Sequence, residues 1–166
     1  VGGVLQHFTS QRTIDRQHEW DRSRLVHEKL EQIAQEANEL GERMSQLYTG
    51  SIVNVGTGKP YRPEVSLPFA KVEMLLNFYA PELKPEYDRL VGLRDEMGGV
   101  LADLVSGRIP TETVQKQELN ERLITASTKA KHICEQLIKG ASELGRERLS
   151  LKAEQNHAAD ARTSRG

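Results

Sequence analysis

Val26, Leu30, Ile33, Ala37, Leu40, Met44 and Leu47 follow one another at alternating spacings of four and three, the repeat of a helix that buries one narrow seam. Between Thr13 and Tyr48 the chain has no proline and one glycine, so a single helix is predicted there, about 50 Å long at 1.5 Å per residue. Glu28, Lys29, Glu31, Glu36, Glu39, Glu42 and Arg43 occupy its other faces and keep them wet. Such a helix needs a partner along one side only.

Thr49-Gly50 predicts its stop. From Ser51 to Leu67, the residues Gly56, Gly58, Pro60 and Pro63 break any helical period, which predicts a long loop. Ser66, ahead of Leu67-Pro68, is the expected N-cap of a short helix with the stripe Val72, Leu75, Leu76 and Tyr79, ended by Pro81. A third helix is predicted from about Pro85 to Ser106, burying Leu90, Leu93, Met97, Val100, Leu101 and Leu104 and stopping at Gly107. Gly92, Gly98 and Gly99 inside it each cost about 1 kcal/mol relative to alanine, so a close backbone approach or a bend is expected there.

Pro110 and the stretch Thr111 to Thr113 open a fourth helix. In it Leu119, Leu123, Ala126, Ala130, Ile133, Leu137 and Leu144 repeat the spacing of the first. Ala34, Ala37 and Gly41 on one seam, and Ala126, Ala130, Gly140 and Ala141 on the other, permit close approach. The predicted class is all-α: an elongated antiparallel bundle of two long and two shorter helices, with the fourth returned beside the first. The bundle domain is expected to cover residues 13–155, with a juxtamembrane remnant at 1–12 and a flexible tail at 156–166.

Composition narrows the partners. In 166 residues the net charge is -1 and the pI about 6.6, which gives no basic footprint for nucleic acid. The lone Cys134 has no intrachain disulfide partner and lies in an apolar helical stretch, so it reads as a small core residue in a reducing compartment. No run of 18 apolar residues is present, so the chain contains no complete membrane span.

The segment Leu5-Gln6-His7-Phe8, then Gln11-Arg12 and Arg16-Gln17-His18-Glu19-Trp20-Asp21-Arg22-Ser23-Arg24-Leu25, resembles the juxtamembrane region of small uncharacterised bacterial proteins. In these a Gly-rich membrane span leads into a cytoplasmic helical domain. Val72-Glu73-Met74-Leu75-Leu76 and Tyr79-Ala80-Pro81-Glu82-Leu83 resemble a helix and stop in the same proteins. The resemblance implies an upstream span and implies no activity. Val1-Gly2-Gly3-Val4-Leu5 reads as the trailing edge of an apolar segment, so the chain is expected to be a piece of a longer one. Arg12, Arg16, Arg22 and Arg24 fall where Lys and Arg mark the cytoplasmic side of a span.

Candidate chemistry is sparse. Gly56-Thr57-Gly58-Lys59 resembles the end of a phosphate-binding loop, but Val53 replaces the first glycine and Pro60 the Mg-binding hydroxyl residue. Asp15 with His18, and Glu154 with His157, have the i, i+3 spacing that places two metal ligands on one helix face; both pairs fall at the bundle end, away from the core. His132 and Cys134 are two apart and face different ways on a helix. Trp20 is expected to pack on the fourth helix near Leu151, or else to lie at a lipid headgroup interface.

These residues point to a non-enzymatic, membrane-tethered helical interaction or assembly module without cofactor or metal. Its expected place is the cytoplasmic side of the cell inner membrane, and its expected partner a second copy or another helical protein. The alternatives are a bundle that senses a small ligand between the Ser51 to Leu67 loop and the glycines of helix three, and a metal-dependent enzyme.

Overall fold

The computed structural model describes the backbone of residues 2–59, 63 and 65–163, and the side chains of 17–59, 63 and 65–150. The described elements are helices α1 (Gly2–Thr57), α2 (Phe69–Tyr79), α3 (Lys84–Val105) and α4 (Thr113–Thr163), with a single 3-10 turn at Pro81–Leu83 between α2 and α3. The class is all-α, with two long and two shorter helices. At 1.5 Å per residue α1 and α4 are about 84 and 76 Å long, against about 16 Å for α2 and 33 Å for α3.

Helix α1 outruns the predicted stop at Gly50 by two turns. Ser51 and Val55 extend the seam past Leu47 and Tyr48 and are fully buried. The Ser51 hydroxyl donates to the Leu47 carbonyl at 2.8 Å. Burial along the seam outweighs the cost of about 1 kcal/mol for a mid-helix glycine. The true stop is Gly58, whose φ of +67° is open to glycine at no steric cost; its N–H donates to the Asn54 carbonyl at 2.8 Å. The connection to α2 is correspondingly shorter than the predicted loop. Helix α4 likewise runs on to Thr163, through the stretch expected to be a tail.

Pro68, not Ser66, precedes α2, and no side chain caps it. Pro81 does end α2, and Gly107, at φ +75°, ends α3. The N–H of Arg108 closes that terminus on the Asp103 carbonyl at 2.8 Å, while its guanidinium reaches the Asp103 carboxylate.

Long helices α1 and α4 pack antiparallel along their predicted seams. Leu30, Ile33, Ala37, Leu40, Met44 and Tyr48 are buried with Leu123, Ala126, Ala130, Ile133, Leu137 and Ala141 in one continuous core, and Leu47 is buried as well. Ser45 meets Ser127 at 3.3 Å, Gly41 faces Cys134, and Gly145 faces His27 and Leu30, so positions advance in opposite directions on the two helices. Close approach at the seam is borne out at Gly41, where a Cβ would stand 3.0 Å from that of Cys134. Gly140 serves another neighbour: it gives way to Leu83 of the 3-10 turn, whose Cδ2 lies 2.5 Å from a Cβ placed there. The glycines of α3 approach nothing, since the space beside Gly92, Gly98 and Gly99 is open within 4 Å.

Helices α2 and α3 fold as a hairpin that covers one face of the α1/α4 pair. Its core residues are Phe69, Val72, Leu75, Leu76, Tyr87, Leu90, Leu93, Met97 and Leu104. The Tyr87 hydroxyl donates to the Phe69 carbonyl at 2.9 Å, and the Tyr87 and Phe69 rings meet edge to face at 6.2 Å. Lys84 reaches Glu73 at 2.8 Å and stands 4.7 Å over the Tyr87 ring; the hydrogen bond it donates to Glu73 holds its pKa above the usual lysine value. At the turn Arg148 of α4 donates to the Tyr79 carbonyl at 2.9 Å and to Glu82 at 3.1 Å.

Lys71 of α2 pairs with Glu36 of α1, whose side chain is only 11% exposed. A carboxylate so placed loses more when its partner is removed than when both groups are replaced. Lys71→Met is expected to cost about 1 kcal/mol in urea unfolding, given a half-exposed lysine, and Lys71→Met with Glu36→Gln to recover most of it. An equal loss in the single and double variants would refute the pairing.

Candidate interaction face

The hairpin α2–α3 braces only one side of α1 and α4, so the opposite side of their seam faces solvent. Two open grooves run along it. One, of about 390 Å³, is lined by Asn38, Gly41, Glu42 and Ser45 of α1 and by Lys131, Cys134, Glu135 and Ile138 of α4. The other, of about 480 Å³, is lined by His27, Leu30, Glu31, Ala34 and Gln35 with Ala141, Ser142 and Gly145. Small residues at the seam let the two backbones approach and leave the floor shallow; the polar rims are solvated.

This face has its own helical period. On α1, Trp20, Arg24, His27, Glu31, Asn38, Glu42 and Ser45 fall on one stripe, and on α4 so do Ile124, Lys131, Ile138, Ser142 and Leu149. Large apolar side chains stand exposed at its two ends: Trp20 (67%) and Leu149 (48%) at one, Val53 (59%) and Ile124 (53%) at the other. The exposure of Trp20 overturns the expectation that it packs on α4. His27 sits at the groove wall with Nε2 3.4 Å from Glu31 Oε1 and its buried Nδ1 unpartnered.

The residues singled out for chemistry do not converge. Gly56 and Thr57 form the last turn of α1 and Gly58 its stop, and no strand precedes them among the described residues. Asp15, Glu154 and His157 lie outside the described side chains, and His18 is exposed. Among the described residues no group of three or more His, Cys, Asp or Glu is placed to hold a metal ion. Cys134 is buried against Gly41 and its neighbour His132 is exposed. Burial, then the charge of Glu135, pushes the thiol up to about 12, the opposite of what a nucleophilic cysteine requires. Tyr48 is pushed up to about 12 by burial and then by Glu96.

Among the described residues no helix is long and apolar enough to cross a membrane. The chain matches no family model, no curated protein and no solved structure.

Proposed function

We propose that the protein is a non-enzymatic helical interaction or assembly module, tethered on the cytoplasmic side of a membrane by a segment preceding the chain. The observation that carries the interaction reading is the uncovered side of the α1/α4 seam, a stripe with grooves along its middle and exposed apolar side chains at both ends. Apolar side chains at both ends of a groove offer a partner apolar contacts within a polar rim. The basic stretch Arg12, Arg16, Arg22 and Arg24 supports the tether.

The test uses the full native gene product. Carbonate-washed membranes are expected to retain it, and after detergent extraction its native mass is expected to exceed that of one chain. Asn38→Arg with Ser142→Arg, both at exposed groove positions, is expected to return the mass to that of a single chain without altering the helical circular dichroism. A single-chain mass for the unaltered protein would refute the module, and release by carbonate would refute the tether.

A further inference from the structure

We infer that the occupant of the open α1/α4 face is a second copy of this chain, docked face to face about a two-fold axis parallel to the long helices. This rests on the interaction reading above and names its partner. The axis direction follows from charge. The α1 rim carries Glu31 and Glu42, whereas the α4 rim carries Lys131, Glu135 and, one turn beyond Ser142, Arg146, a net positive charge against a net negative one.

A two-fold axis across the helices would set α1 against α1 and oppose acidic rims, which costs free energy. An axis along them sets α1 of each copy against α4 of the other at the same level. Because α1 and α4 are already antiparallel within one chain, Glu42 then meets Lys131 of the second copy, and Glu31 falls within one turn of its Arg146. Glu42 accepts a hydrogen bond from Asn38 at 3.1 Å, but neither it nor Lys131 is engaged in an ion pair among the described residues, so the charge of each is left to be met across the interface. The same arrangement brings Ile124 of each copy to Val53 of the other, and Leu149 to the level of Trp20, covering the apolar ends.

The area is sufficient. From the level of Trp20 to that of Val53 the face is about 50 Å long and two helices wide, about 20 Å. Its footprint of about 1,000 Å² per copy exceeds the roughly 800 Å² per partner of a standard specific interface. The four central helices would form an antiparallel bundle with every neighbour oppositely directed, and both N-termini would leave from one end. The polar middle of the face makes this an exchanging dimer, unlike an obligate one whose interface is a core cut in half.

Charge reversal tests it on the purified 166-residue chain by sedimentation at several concentrations. The unaltered chain is expected to dimerise. Glu42→Lys alone and Lys131→Glu alone are each expected to weaken dimerisation by about tenfold or more, since each sets two like-charged pairs across the axis. An equimolar mixture of the two variants is expected to form a heterodimer as tight as the original, because both pairs are restored. A swap acting within one chain would leave the mixture as weak as its components and refute the arrangement. A monomeric purified chain, beside an extract complex still abolished by Asn38→Arg with Ser142→Arg, would refute the second copy and keep the module; loss of both would refute both.

Discussion

Leu137→Ala is expected to lower the free energy of unfolding by about 2–5 kcal/mol. Leu137 is fully buried in the middle of the α1/α4 seam, where Ile133 and Ala141 lie one turn to either side and α2–α3 closes the far face. Walls fixed on all sides cannot relax into the space that three missing carbons leave, so the cavity cost adds to the lost transfer free energy. Leu30→Ala is expected at the lower end of the range. Leu30 borders the open groove beside His27 and Gly145, where neighbours can settle inward. Urea unfolding followed by circular dichroism measures both, and unchanged midpoints in the two variants would refute the seam as the source of stability.

Alkaline pH is the second large lever. In the fold Cys134 and Tyr48 hold their protons to about pH 12, whereas a thiol and a phenol in water ordinarily lose them near 9.0 and 10.0. Between pH 9 and 12 the unfolded chain therefore binds fewer protons than the native one, and stability falls as pH rises. The contribution is intact below pH 9. Above it each group removes up to about 1.4 kcal/mol per pH unit, first the thiol and then the phenol. The slope of unfolding free energy against pH is expected to flatten over this window in Cys134→Ala with Tyr48→Phe. An unchanged slope in that variant would show that neither group governs the transition.

The long seams were legible in the sequence because a helix buried along one stripe must repeat its apolar residues every three or four positions. Leu30 to Leu47 and Leu123 to Leu137 do so without interruption. Where the stripe carries other residue types, the pattern falls silent. Ser51 and Val55 continue α1 after a glycine, and nothing local distinguishes that turn from the start of a loop; only the buried environment does. Gly140 looked like a seam residue by spacing, yet it answers to Leu83, which the chain brings back through a 3-10 turn that no period announces.

The candidate face was harder still to read. Glu31, Asn38, Glu42 and Ser45 lie on a helical stripe, but polar residues at helical spacing are what any solvated face shows. What singles them out is that α2 and α3 cover the opposite side, a consequence of topology. Trp20 shows the same limit from the other direction: an indole at the level of Leu151 suggests packing by composition, while its angular position on α1 turns it outward.

The opposed numbering of the two long helices has a consequence for how this chain can change length. Pairs such as Gly41 with Cys134 and Ser45 with Ser127 are set by register, and each residue advances a helix by 1.5 Å and about 100°. Removing one residue from α1 would turn every later seam position away from α4, so a leucine would face water and a glutamate the core. An insertion or deletion within these helices is therefore accommodated only when it spans whole heptads and is matched at the same level in the other helix. The connections between α1 and α2 and between α3 and α4 lie outside the α1/α4 register. Divergent descendants of this chain would accordingly vary one residue at a time in those two connections, and in paired steps of seven along the shaft.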